Sequence, residues 1–330
     1  MSPSPESRAS PPRSQLRVPD FFIVGQAKSG TTALYEMLRR HPQIYMPDSK
    51  EPWFFATDMR PRFQLPMAGS LPETLEEYLA LFAGAAPGQL VGEASTSYLW
   101  SQTAAQRIAE VQPEAKLIAI LREPASFLRS LHLQLVQTHV ESERDLRKAM
   151  ALEGARREGR QIPRRSHRPQ LLQYSEHVRY VEQLRRYDAV FPKDHMLVLI
   201  YDDFRRDNAA TVRQVLSFLG VDEDHPIEVL QANSSVALRS QQLDDLVHAV
   251  STGRGPLSRA AKGALKALTP RQARRRLLHL TLRRVVHGDT PPADEGLMLE
   301  LRRRFKDEVV ALSDYLDRDL VTLWGYDDVG

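Results

Sequence analysis

The chain predicts an α/β fold in three layers, a mostly parallel central sheet covered by helices on both faces. Three observations predict it. Short apolar runs of strand length recur along the chain, at Phe21–Val24, Lys116–Leu121 and Met196–Tyr201, with a further start at Leu90–Val91. Between them lie segments whose apolar residues fall at helical spacing. The runs are apolar throughout rather than alternating, as in strands buried on both faces, and strands that alternate with helices build parallel sheets. With 330 residues, 42% of them hydrophobic, the chain can bury an ordinary core.

In order, residues 1–18 are rich in Ser, Pro and Arg with no apolar run, which predicts a disordered tail rather than a secretory leader. Phe21–Val24 is a strand ending in Gly25, and Leu34, Met37 and Leu38 share one face of the helix that follows. A strand begins at Leu90–Val91 before Glu93. Ala104–Val111 is a helix, and Lys116–Leu121 a buried strand stopped by Arg122-Glu123-Pro124. Helices are expected over Ala125–Val136 and Val178–Tyr187, a strand over Met196–Tyr201, and a helix over Ala209–Leu219 closed by Gly220. From 251 to 288 there is helical periodicity and no strand; Pro291-Pro292 marks a boundary, and one long helical pattern runs over Leu299–Leu323 through Phe305, Val309, Leu312 and Leu316. The organisation expected is a single domain over 19–330 with a basic helical insertion at about 251–288.

Cysteine is absent, which excludes disulfides and thiolate metal sites and fits a reducing compartment. No stretch reaches the roughly 20 apolar residues of a bilayer span. The expectation is a soluble, cytoplasmic protein. The net charge of +3 hides an uneven distribution: residues 251–288 hold ten Arg or Lys and no acid, leaving about −7 for the rest. A second basic stretch carries Arg156, Arg157, Arg160, Arg164, Arg165 and Arg168 against Glu158. His167, His177 and His279 lack metal-ligand spacing and are expected to be structural or exposed.

The most informative segment is Gly25-Gln26-Ala27-Lys28-Ser29-Gly30-Thr31-Thr32. Its glycines have the spacing of G-x-x-x-x-G-K-[ST], but Thr31 stands where that motif has lysine. A glycine-rich turn feeding a helix presents backbone N–H groups and the positive end of the helix dipole to an anion. The cation has moved inside the loop, to Lys28. A magnesium-dependent nucleotide enzyme also needs a carboxylate after an apolar strand, whereas Lys116–Leu121 ends in Arg122, which suits a second anion. The pattern therefore reads as a site for two phosphate-like groups, without a metal.

The segments FFIVGQAKSGTTALYEMLRRHP, KEPWFF, GEASTSYL, LIAILREPASFLRS and VFPKDHMLVLIYDDF together resemble the sulfotransferases that use 3′-phosphoadenosine 5′-phosphosulfate, in particular the bacterial and heparan-sulfate-type branch. LDRDLVTLW resembles the ending of bacterial members. The resemblance implies a P-loop-like α/β fold. It implies that Lys28, Ser29, Gly30, Thr31 and Thr32 hold the donor's 5′-phosphosulfate, that Arg122 and Ser130 hold its 3′-phosphate, and that Glu51 is the general base. Arg239, near Asn233-Ser234-Ser235, is the candidate from the late donor-binding loop. Trp53, Phe54 and Phe55 are expected to divide between core and acceptor wall, with Phe54 in the core. After Glu93 the heparan-type enzymes carry lysine, but this chain has Ala94, which weakens a glycosaminoglycan acceptor.

The activity implied is transfer of a sulfuryl group to a hydroxyl, less readily an amine, of a carbohydrate, lipid-linked or natural-product acceptor, releasing adenosine 3′,5′-bisphosphate. Two alternatives stand beside it. A P-loop kinase or nucleotide hydrolase requires the lysine and carboxylate that Thr31 and Arg122 replace. A noncatalytic binder of nucleic acid or anionic membrane would use the arginines of 251–288, but leaves the loop unexplained, so no nucleic-acid partner is expected. For 251–288 itself the roles open are a solvated insertion, a lid over the donor, an acidic-acceptor site and peripheral membrane attachment.

Overall fold

The computed structural model describes residues 17–60, 71–166, 168–229, 236–238, 287–289 and 292–329. Strand β1 (Phe21–Gly25) is buried along its whole length and leads through the glycine loop into α1 (Thr31–Leu38). There follow β2 (Ile44–Tyr45), α2 (Leu75–Ala80), β3 (Leu90–Ala94), α3 (Ala104–Val111), β4 (Lys116–Leu121) and α4 (Pro124–Gln137). The short helices α5 (Leu146–Ala151) and α6 (Glu153–Arg157) precede α7 (Tyr180–Asp188), β5 (Met196–Ile200), α8 (Tyr201–Arg206) and α9 (Asn208–Leu219). A separate antiparallel pair joins β6 (Val236–Leu238) to β7 (His287–Asp289), and the chain then forms α10 (Glu295–Leu316) and α11 (Leu320–Trp324).

The main sheet has the order β2-β3-β1-β4-β5 and is parallel at every pairing, with Phe22 opposite both Glu93 and Leu117. Side chains alternate across a strand, so each apolar strand feeds two cores. Phe22, Val24, Leu117, Ala119 and Leu121 join one with Phe127 and Leu128 of α4, Leu184 of α7 and Phe305 of α10. Phe21, Ile23, Ile118, Ile120 and Leu199 join the other with Leu34 and Met37 of α1 and Val215 and Leu216 of α9. This is the expected three-layer, P-loop-like architecture. The helices after β1 and β4 cover opposite faces, which opens a crevice at the C-terminal ends of these two neighbouring strands. Open α/β sheets bind ligands at such switch points.

Several boundaries differ from the sequence reading. The pattern over 299–323 is two helices, because Asp317 turns left-handed (φ 48°) and the Ser313 hydroxyl takes the N–H of Leu320 while donating to the Arg318 carbonyl. The helix expected from Val178 starts at Tyr180, after a 3-10 turn over Tyr174–Val178, and the strand expected to reach Tyr201 ends at Ile200. Residues 251–288 were expected to contain no strand, yet His287 and Gly288 belong to β7; the rest of that segment, and Arg239, His167 and His279, lie outside the described residues. Residues 1–16 of the expected tail do too, whereas Arg17 donates to the Gln89 carbonyl at 2.8 Å. Among the described residues no helix is long and apolar enough to cross a membrane.

Candidate active site

β1 ends where Gly25 lies against Leu99: a Cβ on Gly25 would stand 2.7 Å from the Leu99 Cβ. The loop then turns through Lys28 (φ 64°) and Gly30 (φ 84°) into α1. Gly30 is the residue capping α1, and a Cβ there would meet the Phe204 ring at 2.8 Å. No side chain caps α1, so its first amides are available to an anion. Ser29 and Thr31 are buried and Thr32 is exposed.

Two cations face this helix end. Lys28 is half-buried, and burial first, then the Arg122 charge, holds its ammonium below the usual lysine range. Arg122 leaves the end of β4 and donates from Nη1 to the Lys28 carbonyl at 2.9 Å, its guanidinium lying 4.8 Å from the Tyr201 ring centre. Burial lowers its pKa as well. Glu123 is committed elsewhere, accepting from the amides of Ala125 and Ser126 as the cap of α4 and from the Tyr326 hydroxyl at 2.7 Å. Ser130 is buried two turns into α4. Neighbouring cations beside uncapped amides suit a ligand with more than one negative charge, and the residues present fit a nucleotide phosphosulfate.

The second part of the site belongs to the connections around β3. Glu51 adopts a left-handed backbone (φ 65°) and donates its N–H to the Ala94 carbonyl. Its carboxylate accepts from Lys50 Nζ (2.7 Å), Trp53 Nε1 (2.8 Å), Thr96 N (2.9 Å) and Thr96 Oγ1 (3.0 Å). Since β1 and β3 are parallel neighbours, Glu51 and the loop with Lys28 share the C-terminal edge of the sheet. Phe54 is in the core as expected, stacked on Tyr78 with ring centres 4.6 Å apart. His177 is buried and structural: its carbonyl accepts from Gln26 Nε2 at 2.5 Å, and burial lowers its ring pKa to about 4.

Two groups were not assigned from sequence. Glu93 is fully buried, accepting from the hydroxyls of Tyr98 (2.8 Å) and Tyr78 (3.0 Å), and burial pushes its carboxyl up to about 7. Arg168 lies over the Trp53 ring, 3.3 Å from its centre, beside Glu51. The only sequence signal for Arg168 is a Trp two residues after the candidate base and an Arg at the end of a basic stretch.

A family model described as "Sulfotransferase family" matches residues 19–225. Carbohydrate sulfotransferase 15 of Mus musculus is 32% identical over 160 residues, covering 37% of this chain and 28% of that protein. Heparan sulfate glucosamine 3-O-sulfotransferase 3B1 of Mus musculus is 28% identical over 220 residues, covering 67% of this chain and 50% of that protein. The chain thus spans half or less of the length of these relatives. Among solved structures, the sulfotransferase from Alicyclobacillus acidocaldarius aligns with a TM-score of 0.65 at 27% identity, covering 93% of this chain and 99% of that one.

Proposed function

The chain belongs to the sulfotransferase family, and on that premise we propose that it moves a sulfuryl group from 3′-phosphoadenosine 5′-phosphosulfate to a hydroxyl, less readily an amine, of a carbohydrate, lipid-linked or natural-product acceptor. The observation that carries this reading is the half-buried Lys28, inside the turn before the uncapped α1 and tied through its carbonyl to Arg122. That cation position serves a phosphosulfate at the loop better than a γ-phosphate beyond it. The names of the relatives favour a carbohydrate among the acceptors.

In this reading the loop amides with Ser29, Thr31 and Thr32 bind the 5′ end of the donor, and Lys28 stabilises charge on the bridging oxygen as the sulfuryl group departs. Arg122, with Ser130, takes the 3′-phosphate, and Arg239 is a further candidate for that phosphate. Glu51 accepts the acceptor's proton; because its oxygens already take four hydrogen bonds, the incoming hydroxyl replaces one donor, and the flexible Lys50 is the partner most easily displaced. The donor supplies the sulfuryl group and leaves as adenosine 3′,5′-bisphosphate. Most of the acceleration comes from positioning and preorganised charge.

The test is calorimetric titration with adenosine 3′,5′-bisphosphate, followed by sulfation assays with labelled donor against a panel of sugars, lipid-linked glycans and cell extract. Lys28→Ala is expected to lower turnover by about 10²- to 10³-fold, the loss seen when one transition-state donor is removed, with the thermal midpoint preserved. No binding of the bisphosphate by the wild-type protein, or a near-normal rate for Lys28→Ala, would overturn the reading.

A further inference from the structure

Carboxyls are seldom fully buried without a cation, and Glu93 is one that is. It stands near the end of β3, opposite Phe22 of β1. Its Oε2 accepts from the hydroxyls of Tyr98 and Tyr78, at 2.8 and 3.0 Å, while its Oε1 has no hydrogen-bond partner among the described residues. The Tyr187 hydroxyl of α7 is near enough to feel its charge, and the Glu51 carboxylate is near enough to act on it. None of these groups is a cation. Burial raises the Tyr78 and Tyr98 hydroxyls well above their ordinary range, so both stay protonated and keep donating. Two neutral donors compensate a buried anion poorly, and Glu93 therefore holds its proton up to about pH 7.

The stretch that follows Glu93 carries the segment of the candidate base. Glu51 donates its N–H to the Ala94 carbonyl at 3.0 Å, Trp53 to Ser95 Oγ at 3.1 Å, and Phe55 to the Tyr98 hydroxyl at 3.3 Å. Thr96 returns two bonds to the Glu51 carboxylate. The hydroxyl that takes the Phe55 N–H is the one that donates to Glu93, and Tyr187 fixes the Tyr98 backbone by donating to its carbonyl at 2.8 Å. Every second residue of 51–55 thus hangs from 94–98, and the far end of this ladder is anchored on Glu93. A hydroxyl that donates to a carboxylate accepts more strongly than one that donates to a neutral acid, so the charge on Glu93 reaches the ladder.

We propose that Glu93 is a positioning residue for the candidate base: it anchors the ladder that holds residues 51–55, and as an anion it promotes proton uptake at Glu51. The inference rests on the sulfotransferase reading. Two carboxylates repel, and when Glu51 takes the acceptor's proton its charge disappears, which relieves the repulsion from an ionised Glu93. With Glu93 neutral there is no repulsion to relieve. The coupling is reciprocal: the Glu51 charge helps Glu93 keep its proton, and an ionised Glu93 helps Glu51 gain one. Turnover is thus expected to rise through the pH window in which Glu93 gives up its proton.

The experiment uses the full chain with adenosine 3′,5′-bisphosphate bound and its tryptophan indoles isotope-labelled for NMR, from pH 5 to 9. The Trp53 indole, which donates to Glu51 at 2.8 Å, is identified as the resonance missing from Trp53→Phe. In wild type it should move with a midpoint near pH 7, and in Glu93→Gln it should stay still. Tyr98→Phe, which cuts the ladder and keeps Glu93, should shrink the movement, and Glu51→Gln should lower its midpoint. The second readout is label transfer from 3′-phosphoadenosine 5′-phosphosulfate to a fixed cell extract at saturating donor. The ratio of wild-type to Glu93→Gln rates should grow at least about 3-fold across this range, because a change in base strength passes in part to the rate. A purely structural Glu93 would leave the ratio constant. The proposal falls if Trp53 does not respond in wild type, if it responds equally in Glu93→Gln, or if the rate ratio is flat. Should Glu93→Gln fail to fold, the other two variants decide, and an unaltered Trp53 response in both overturns the proposal. Absence of bisphosphate binding or of any label transfer by wild type would instead strike at the sulfotransferase reading.

Discussion

Glu51 is held by four donors and by a left-handed backbone, and Lys28 and Trp53 share that conformation; among the described residues, half of the six non-glycine residues with positive φ lie at this site. Such positions cost about 1–3 kcal/mol each and persist where surrounding contacts impose them. Glu51→Gln keeps the shape and removes the base, so kcat is expected to fall about 10²- to 10⁴-fold with unchanged bisphosphate affinity, measured by sulfation rate and calorimetry. Glu93 gives a pH signature. Its folded pKa of about 7 lies above the ordinary value of 4.5, so the folded state holds the proton more tightly. The contribution of Glu93 to stability is then full below pH 4.5, declines as pH rises through that window, and above pH 7 is lower by on the order of 3 kcal/mol. Glu93→Gln, which resembles the neutral acid, should flatten that decline in urea midpoints measured from pH 5 to 8. Lys28, Arg122 and Glu51 were legible because local order sets their places: a loop before a helix, the end of a strand, a short motif. Arg168 was not, since in sequence it is one of six basic residues, and only long-range packing sends Arg156 to Glu141 and Arg168 to Trp53.

At the scale of elements, the turn between β1 and α1 is closed on one side by Leu99 and on the other by Phe204 and Tyr201. Gly30→Ala would place a methyl 2.8 Å from the Phe204 ring in a backbone region that alanine disfavours. A loss of about 1–3 kcal/mol in stability is expected, with weaker bisphosphate binding, by thermal melts and calorimetry. A further Phe204→Ala change should relieve the collision and leave the backbone strain. The apolar strands β1, β4 and β5 were legible because burial on both faces demands unbroken apolar runs. β2, with two residues, and α2, α5 and α6, with five or six, are too short to show a period. The break at Asp317 was hidden because apolar spacing continues across it, while the Ser313 side chain ends the helix.

In the whole molecule, the last helices brace both sides of Arg122. Tyr326 bonds Glu123, Trp324 Nε1 donates to Asp202 at 3.0 Å, and Arg318 pairs with Asp203 at 2.6 Å, next to the Tyr201 that Arg122 covers. Ending the chain after Leu316 removes the buried Leu320, Trp324 and Tyr326. The expected cost is on the order of 5 kcal/mol or more, with weaker bisphosphate binding, read from urea midpoints and calorimetry. Deleting 251–286, which keeps the β6–β7 pair, separates the roles open to the basic segment: lower donor affinity marks a lid, and lost acceptor turnover alone marks acceptor or membrane contact. Layering and parallel pairing were legible; the order β2-β3-β1-β4-β5 was not, since strand neighbours far apart in sequence leave no local trace. Lys28 and Arg122 follow closely on the ends of the neighbouring strands β1 and β4, which are embedded in two cores, whereas Glu51, Trp53 and Arg168 ride on connections farther along the chain from any strand of the sheet. Changes along those longer connections can therefore reshape the second part of the site while the loop and the strand ends keep their places.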